Sequence, residues 1–250
     1  MQKYKYIIGI MAIVLLGAAV VIFMNTRDRV STETNHADEV GSRIPKLEEG
    51  VNVHELENEI FAVLGPESVA VTTNRSSGSG ILWQYDGKKI IVITTKHLMQ
   101  EFESGELELW TGEKVTFSKE NMYASKELDL AAIILSCKEK FKLEEVNVGN
   151  HLVEKNPEIG ATLWVIDSVY GAASGIGTCS VASSELFLED YGAEMLLLYG
   201  EGKRGMSGSP MYDECGKLAA MMSGMSEDGT TMAAVSAGKI MKFLETLEEE

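Results

Sequence analysis

Near the carboxyl end of the chain stands the turn Gly205-Met206-Ser207-Gly208-Ser209-Pro210. A glycine ahead of a serine lets the backbone turn so that successive N–H groups point into one small space. A glycine after it keeps bulk away from the hydroxyl. Such a turn suits a serine that attacks a carbonyl carbon, but the hydroxyl is a weak nucleophile and needs a base for its proton. His97 ends the run Lys89-Lys-Ile-Ile-Val-Ile-Thr-Thr-Lys-His, so an apolar strand delivers an imidazole at its C-terminal end. Asp129 opens Asp-Leu-Ala-Ala-Ile-Ile-Leu, an acid at the mouth of a second apolar strand, where partial burial demands a hydrogen-bond partner. Singly, each is bland: strand-end histidines are commonly structural, pre-strand aspartates commonly make turns, and a Gly/Ser/Pro stretch can be only a loop. Together they supply a nucleophile, a base and an acid to hold the base's tautomer.

Chain order narrows the architecture. No histidine follows Ser207 and position 209 is Ser, which excludes the Ser–Asp–His order and the Gly-x-Ser-x-Gly elbow of α/β-hydrolases. An Asp–His–Ser order would need an acid before His97, and Asp86 in Tyr85-Asp86-Gly87-Lys88 reads as a hairpin turn. The order His97, Asp129, Ser207 is that of chymotrypsin-like enzymes. Metal chemistry has little support, because Cys137, Cys179 and Cys215 form no Cys-x-x-Cys pair and His36, His54, His97 and His151 never fall four apart. No metal or organic cofactor is implied.

Groups of this kind must be held by rigid elements, and the surrounding pattern is of strand type. Short β-type runs broken by Gly, Asn, Asp and Ser predict strands near 69–73, 81–84, 89–95, 106–110, 114–118 and 130–136. A second set follows near 162–167, 177–183, 194–199, 209–212, 218–224 and 230–236, joined to the first by a charged stretch from about Cys137 to Gly160. Val53, Leu56, Ile60, Phe61 and Leu64 mark a short amphipathic helix ended by Gly65-Pro66, and Ile240, Phe243, Leu244 and Leu247 mark a C-terminal helix. An α/β sheet would alternate strand and helix throughout, so the expected class is all-β.

Ahead of these elements, Ile7–Met24 is an 18-residue run without a charge, flanked by Lys3 and Lys5 and by Arg27 and Arg29. As a helix it would be about 27 Å long, close to the roughly 30 Å hydrocarbon core of a bilayer. A cleaved signal peptide is the rival, but the small residues Gly17-Ala18-Ala19 lie inside the run rather than after it. The expected organisation is a cytoplasmic terminus over 1–6, a transmembrane signal-anchor over 7–24, a polar stalk over 25–50 and a folded domain over 51–250 on the extracytoplasmic side. A net charge of −16 excludes non-specific nucleic-acid binding, which needs clustered cations, and a polybasic hold on anionic lipid.

On these residues the chain resembles the trypsin-like serine proteases and, within them, the protease domain of the bacterial HtrA (Deg) group, without a PDZ domain. Ser79-Gly80-Ile81 looks like the Gly-Ser-Gly-hydrophobic strand of that family, Thr94-Thr95-Lys96-His97 like its Thr-x-x-His, and Asp129-Leu130-Ala131 like its Asp-Leu-Ala. Gly205 to Pro210 resembles Gly-Asn-Ser-Gly-Gly-Pro, and Gly216 to Gly224 resembles the strand lining the substrate cleft. The likeness covers about Ser68 to Leu247 and departs at Lys96, Met206 and Ser209.

The resemblance implies two six-stranded antiparallel β-barrels, with His97 and Asp129 on the first and Ser207 on the second. It implies a serine endopeptidase acting on polypeptide through an acyl-enzyme, with the N–H groups of Gly205 and Ser207 as oxyanion hole. Ser223, Gly224 and Met225 would line the primary pocket, whose methionines suit small to medium apolar residues. Glu201, six residues before the serine, stands where an acid can select Lys or Arg, and is otherwise a solvated loop residue. Cys179 and Cys215 fall where related proteases often carry a disulfide, buried free thiols being the alternative. Digestive members of the family pair a freed N-terminus with an aspartate directly before the serine. Met206 holds no charge, so a domain starting at about Gly50 is expected to be equally active whatever residues precede it. The rival function is a catalytically weak or inactive protein of the same fold that binds polypeptides outside the membrane. Oligomeric state has no sequence signal.

Overall fold

The computed structural model describes residues 42–46, 52–137 and 139–248. The expected membrane-spanning segment lies outside these residues, and no helix among the described residues is long and apolar enough to cross a membrane.

Helix α1, Val53–Leu64, opens with the Asn52 side chain accepting from the N–H of His54 and buries Leu56, Ile60 and Leu64, one face at a spacing of four. Val53 shares the apolar spacing but sits in the first turn and stays exposed. The first sheet is built from β1 (Ser68–Thr73), β2 (Ser77–Tyr85), β3 (Lys89–Thr94), β4 (Ser104–Glu108), β5 (Lys114–Ser118), β6 (Met122–Ala124), β7 (Ala131–Ser136) and β8 (Val146–Asn147). Its order is β5-β4-β1-β2-β3-β7-β6, with β8 paired to β2. The β2–β3 turn is the expected hairpin: Asp86 Oδ1 accepts from the N–H groups of Lys88 and Lys89, and Gly87 takes φ +81°.

This sheet curls but does not close, which corrects the expected first six-stranded barrel. The free edges β5 and β6 are joined by a 3₁₀ turn, Lys119–Asn121, in which the N–H and hydroxyl of Ser118 bond to the Asn121 side chain. The three-residue β6 and two-residue β8 were too short to leave a periodic signal.

The second barrel closes. It comprises β9 (Thr162–Asp167), β10 (Gly175–Leu188), β11 (Ala193–Gly200), β12 (Pro210–Tyr212), β13 (Leu218–Met225) and β14 (Thr231–Ser236), in the order β10-β11-β14-β13-β12-β9 with β9 paired back to β10. Helix α2, Ala237–Glu248, follows β14.

Most central strands are buried on both faces, so they read as continuous apolar runs. In β3, Ile90 and Val92 face the interior of the first sheet, while Ile91 and Ile93 face a core shared with both helices and barrel two. In β13, Ala220 and Met222 fill barrel two while Leu218 and Met221 face that shared core. Cys179 lies inside barrel two opposite Leu163 and Gly200, whereas Cys215 lies in the turn after β12, and all three cysteines are free. Burial pushes the Cys179 thiol up to about 12, so it behaves as a small apolar side chain.

One packed segment falls in the stretch that composition placed in the stalk. Ile44 is 5% exposed within the shared core, and Arg43 bonds to the folded body, so the folded domain begins before residue 51.

Candidate active site

Strands β3 and β7 are antiparallel neighbours with Thr94 opposite Ala131. The C-terminal end of one therefore meets the N-terminal end of the other, and this register brings together His97, in the 3₁₀ turn Lys96–Met99, and Asp129. His97 Nδ1 donates to Asp129 Oδ2 at 2.8 Å, and the backbone N–H of His97 donates to Oδ1 at 2.9 Å. Ser223 Oγ donates a further, short bond to Oδ2. Burial raises the pKa of Asp129, but the hydrogen bonds from His97 and Ser223 and the nearby imidazole outweigh it and hold the carboxyl below its ordinary value. A carboxylate accepting from Nδ1–H leaves the lone pair on Nε2, the atom a base would use. Nε2 lies 3.5 Å from Thr95 Oγ1. Lys96, where the resemblance expects a small residue, reaches across to Ser125 O at 3.0 Å.

Ser207 comes from barrel two and is gripped by the first sheet. The N–H of Ser79 on β2 donates to Ser207 O at 2.8 Å, and the Ser79 hydroxyl donates to Gly205 O at 3.0 Å while accepting from the N–H of Ser168. Gly208 has φ +92°, and a Cβ there would lie 1.8 Å from Ser79 O, so this position admits only glycine. Among the described residues the N–H groups of Gly205 and Ser207 bond to no protein acceptor. Ser207 Oγ donates to Ser223 O at 3.4 Å, and no hydrogen bond joins it to His97. Met206 turns away into the barrel-two core, its sulfur accepting from the N–H of Lys203 at 3.1 Å.

The remaining sequence candidates divide. Ser223 and Gly224 lie at the cleft end of β13, but Ser223 spends its hydroxyl on Asp129, a positioning role that its place in a pocket motif did not suggest. Met225 packs on Gly202, where a Cβ would meet Met225 Sδ at 3.1 Å and Met232 Cγ at 3.2 Å, so two methionines occupy the space beside that backbone. Glu201 points into solvent, its side chain 81% exposed and 3.6 Å from Lys203 Nζ. The role of Ser79 went unread, although the glycines flanking it carried a signal: a Cβ at Gly78 would meet Ser207 O at 2.8 Å. No cluster of metal-ligating side chains occurs among the described residues.

No protein-family model matches the chain, and no curated protein matches it either. Solved structures do. An inactive serine-to-alanine form of Rv3671c from M. tuberculosis aligns with a TM-score of 0.59 at 15% identity, over 82% of this chain and 97% of that one. The HtrA-type protease AlgW with a tripeptide aligns with a TM-score of 0.61 at 14% identity, over 75% of this chain and 62% of that one. The fold is that of the HtrA-type serine proteases. The serine endoprotease of Yersinia pestis aligns similarly, with a TM-score of 0.59 at 17% identity over 81% of this chain and 69% of that one. In this HtrA-type fold the first sheet carries His97 and Asp129, the second barrel carries Ser207 and Ser223, and hydrogen bonds from Ser79 and Ser223 cross between them.

Proposed function

We propose that the chain is a serine endopeptidase, held in a membrane by residues 7–24 with its folded domain on the extracytoplasmic side. The observation that carries the reading is the 2.8 Å His97–Asp129 bond, set on an HtrA-type fold whose other half presents Ser207. Ser207 Oγ attacks the carbonyl carbon of a peptide bond while His97 Nε2 takes its proton and returns it to the departing amine. Water then enters by the same base and hydrolyses the acyl-enzyme. Asp129 steadies the imidazolium through Nδ1, and the N–H groups of Gly205 and Ser207 hold the oxyanion, each such donor being worth about 3 kcal/mol. The uncharged run Ile7–Met24 supports the anchor.

A second reading, a protein of this fold that binds polypeptide without cutting it, is favoured by the Ser207 hydroxyl bonding to Ser223 O rather than to His97. A fluorophosphonate probe separates the two. Labelling of wild type that is lost in Ser207→Ala supports the peptidase, whereas polypeptide binding without labelling supports the second reading.

A further inference from the structure

Arg43 touches both halves of the fold. Its guanidinium pairs with Glu67, a carboxylate 5% exposed that stands directly before β1 of the first sheet. The same guanidinium donates through Nη1 to Gly216 O at 2.8 Å, and the backbone N–H of Arg43 donates to Cys215 O at 2.8 Å. Cys215 and Gly216 form the closed end of the β12–β13 hairpin. Its open end carries Ser207 and Ser223, held in register by Gly208 N–H to Met222 O at 2.8 Å and Met222 N–H to Ser209 O at 2.9 Å. Packing reinforces the contact. Gly216 takes φ +74°, and a Cβ there would meet Ile44 Cγ2 at 3.0 Å and Arg43 Cβ at 3.2 Å. Tyr212 on β12 is buried beside Glu67, and burial followed by that carboxylate raises its phenol well above the ordinary value.

We propose that Arg43 is a positioning residue for Ser207, a clamp by which the first residues of the folded domain, Ser42–Lys46, set the placement of the nucleophile's hairpin against the first sheet. The proposal rests on the peptidase reading. His97 and Asp129 come from one half of the fold and Ser207 and Ser223 from the other, so proton transfer depends on how the halves are registered. A planar guanidinium can meet the Glu67 carboxylate and the Gly216 carbonyl together, which a lysine ammonium does less well. Displacing Arg43 from Glu67 would thus lower the reactivity of a serine with which it shares no contact, and this segment becomes a point of control over the site.

The test uses the full chain in detergent micelles. It compares wild type with Arg43→Ala, Arg43→Lys, Glu67→Gln and the exposed neighbour Lys46→Ala, all below their own unfolding temperatures. The readouts are the second-order rate of Ser207 labelling by a fluorophosphonate and kcat and KM on a fluorogenic peptide. Arg43→Ala and Glu67→Gln should slow labelling and kcat by about tenfold to a hundredfold, as for a nucleophile misplaced by up to an ångström, with KM little changed. A double variant combining Arg43→Ala with Glu67→Gln should lose little more than either single, Arg43→Lys should fall between, and Lys46→Ala should match wild type. Should Arg43→Ala not fold, Arg43→Lys and Glu67→Gln decide. Folded variants that label at the wild-type rate overturn the positioning role alone. Wild type that no probe labels overturns the peptidase reading, and the positioning role with it.

Discussion

Asp129 accepts three hydrogen bonds, from both donors of His97 and from Ser223, and so stays ionised despite its burial. Ser223→Ala removes one of them, and a bond to a charged group of this kind is worth about 2 kcal/mol, so kcat should fall by tenfold or more with KM little changed. Asp129→Asn should cost about 10⁴-fold, because the amide stabilises the wrong imidazole tautomer. The pH dependence has a definite sign. A depressed folded pKa means that the carboxylate contributes stability above its unfolded value, near 3.9, and loses that contribution only as pH falls through the lower folded value. The melting temperatures of wild type and Asp129→Asn should therefore converge only in acid, below about pH 4, and convergence near neutrality would contradict the assigned hydrogen bonds. Specificity belongs to this scale too. On the peptidase reading, with Met225 and Met232 against Gly202, Met225→Gly should admit larger apolar residues before the cut, while Glu201→Gln should leave the cleavage profile of a peptide library unchanged. A loss of cleavage after Arg in Glu201→Gln would show that the solvated glutamate turns inward on substrate.

At the scale of elements, the β12–β13 hairpin and the Ser207 turn ahead of it are tightly constrained at Gly208. Gly208 lies so close to Ser79 O that Gly208→Ala should displace the Ser207 turn and destabilise the fold by more than about 2 kcal/mol, seen as a lowered melting temperature. Ser209 is the opposite case. Its hydroxyl is buried with no hydrogen-bond partner among the described residues, a situation that costs about 1–3 kcal/mol. Ser209→Ala should leave stability unchanged or raise it, and a marked loss on thermal unfolding would reveal a partner for that hydroxyl.

For the molecule as a whole, the segment Ser42–Lys46 alters where the folded domain begins. A chain starting at Gly50 lacks Arg43 and Ile44 and leaves the Glu67 carboxylate buried without its partner. Breaking a buried pair from one side costs about 3–5 kcal/mol, which for a domain of this size lowers the melting temperature by about 6–20 °C. Calorimetry on domains starting at Ser42 and at Gly50 should show that difference. The thiol chemistry is equally open to measurement. Because Cys179 sits inside barrel two and Cys215 in the turn after β12, all three cysteines should alkylate in the denatured, unreduced protein.

What the sequence determined by itself is whatever is written in neighbouring residues. Apolar runs and turn chemistry placed the long strands of both halves and the two helices, because burial and backbone preference act residue by residue. His97 and Asp129 were readable because each ends or opens such a run, and Ser207 because its turn demands glycines. Closure was not readable, because whether β5 pairs with β6 depends on how the whole sheet curls and not on any run of neighbouring residues. Nor were the grip of Ser79 on the Ser207 turn and the bond from Ser223 to Asp129, which exist only where the two halves of the fold face each other. Arg43 is the plainest case, since it meets Gly216 across 173 residues of chain. A polar stretch rich in charge looks like a stalk from its composition, and only the tertiary fold decides that one of its cations has a buried carboxylate waiting for it.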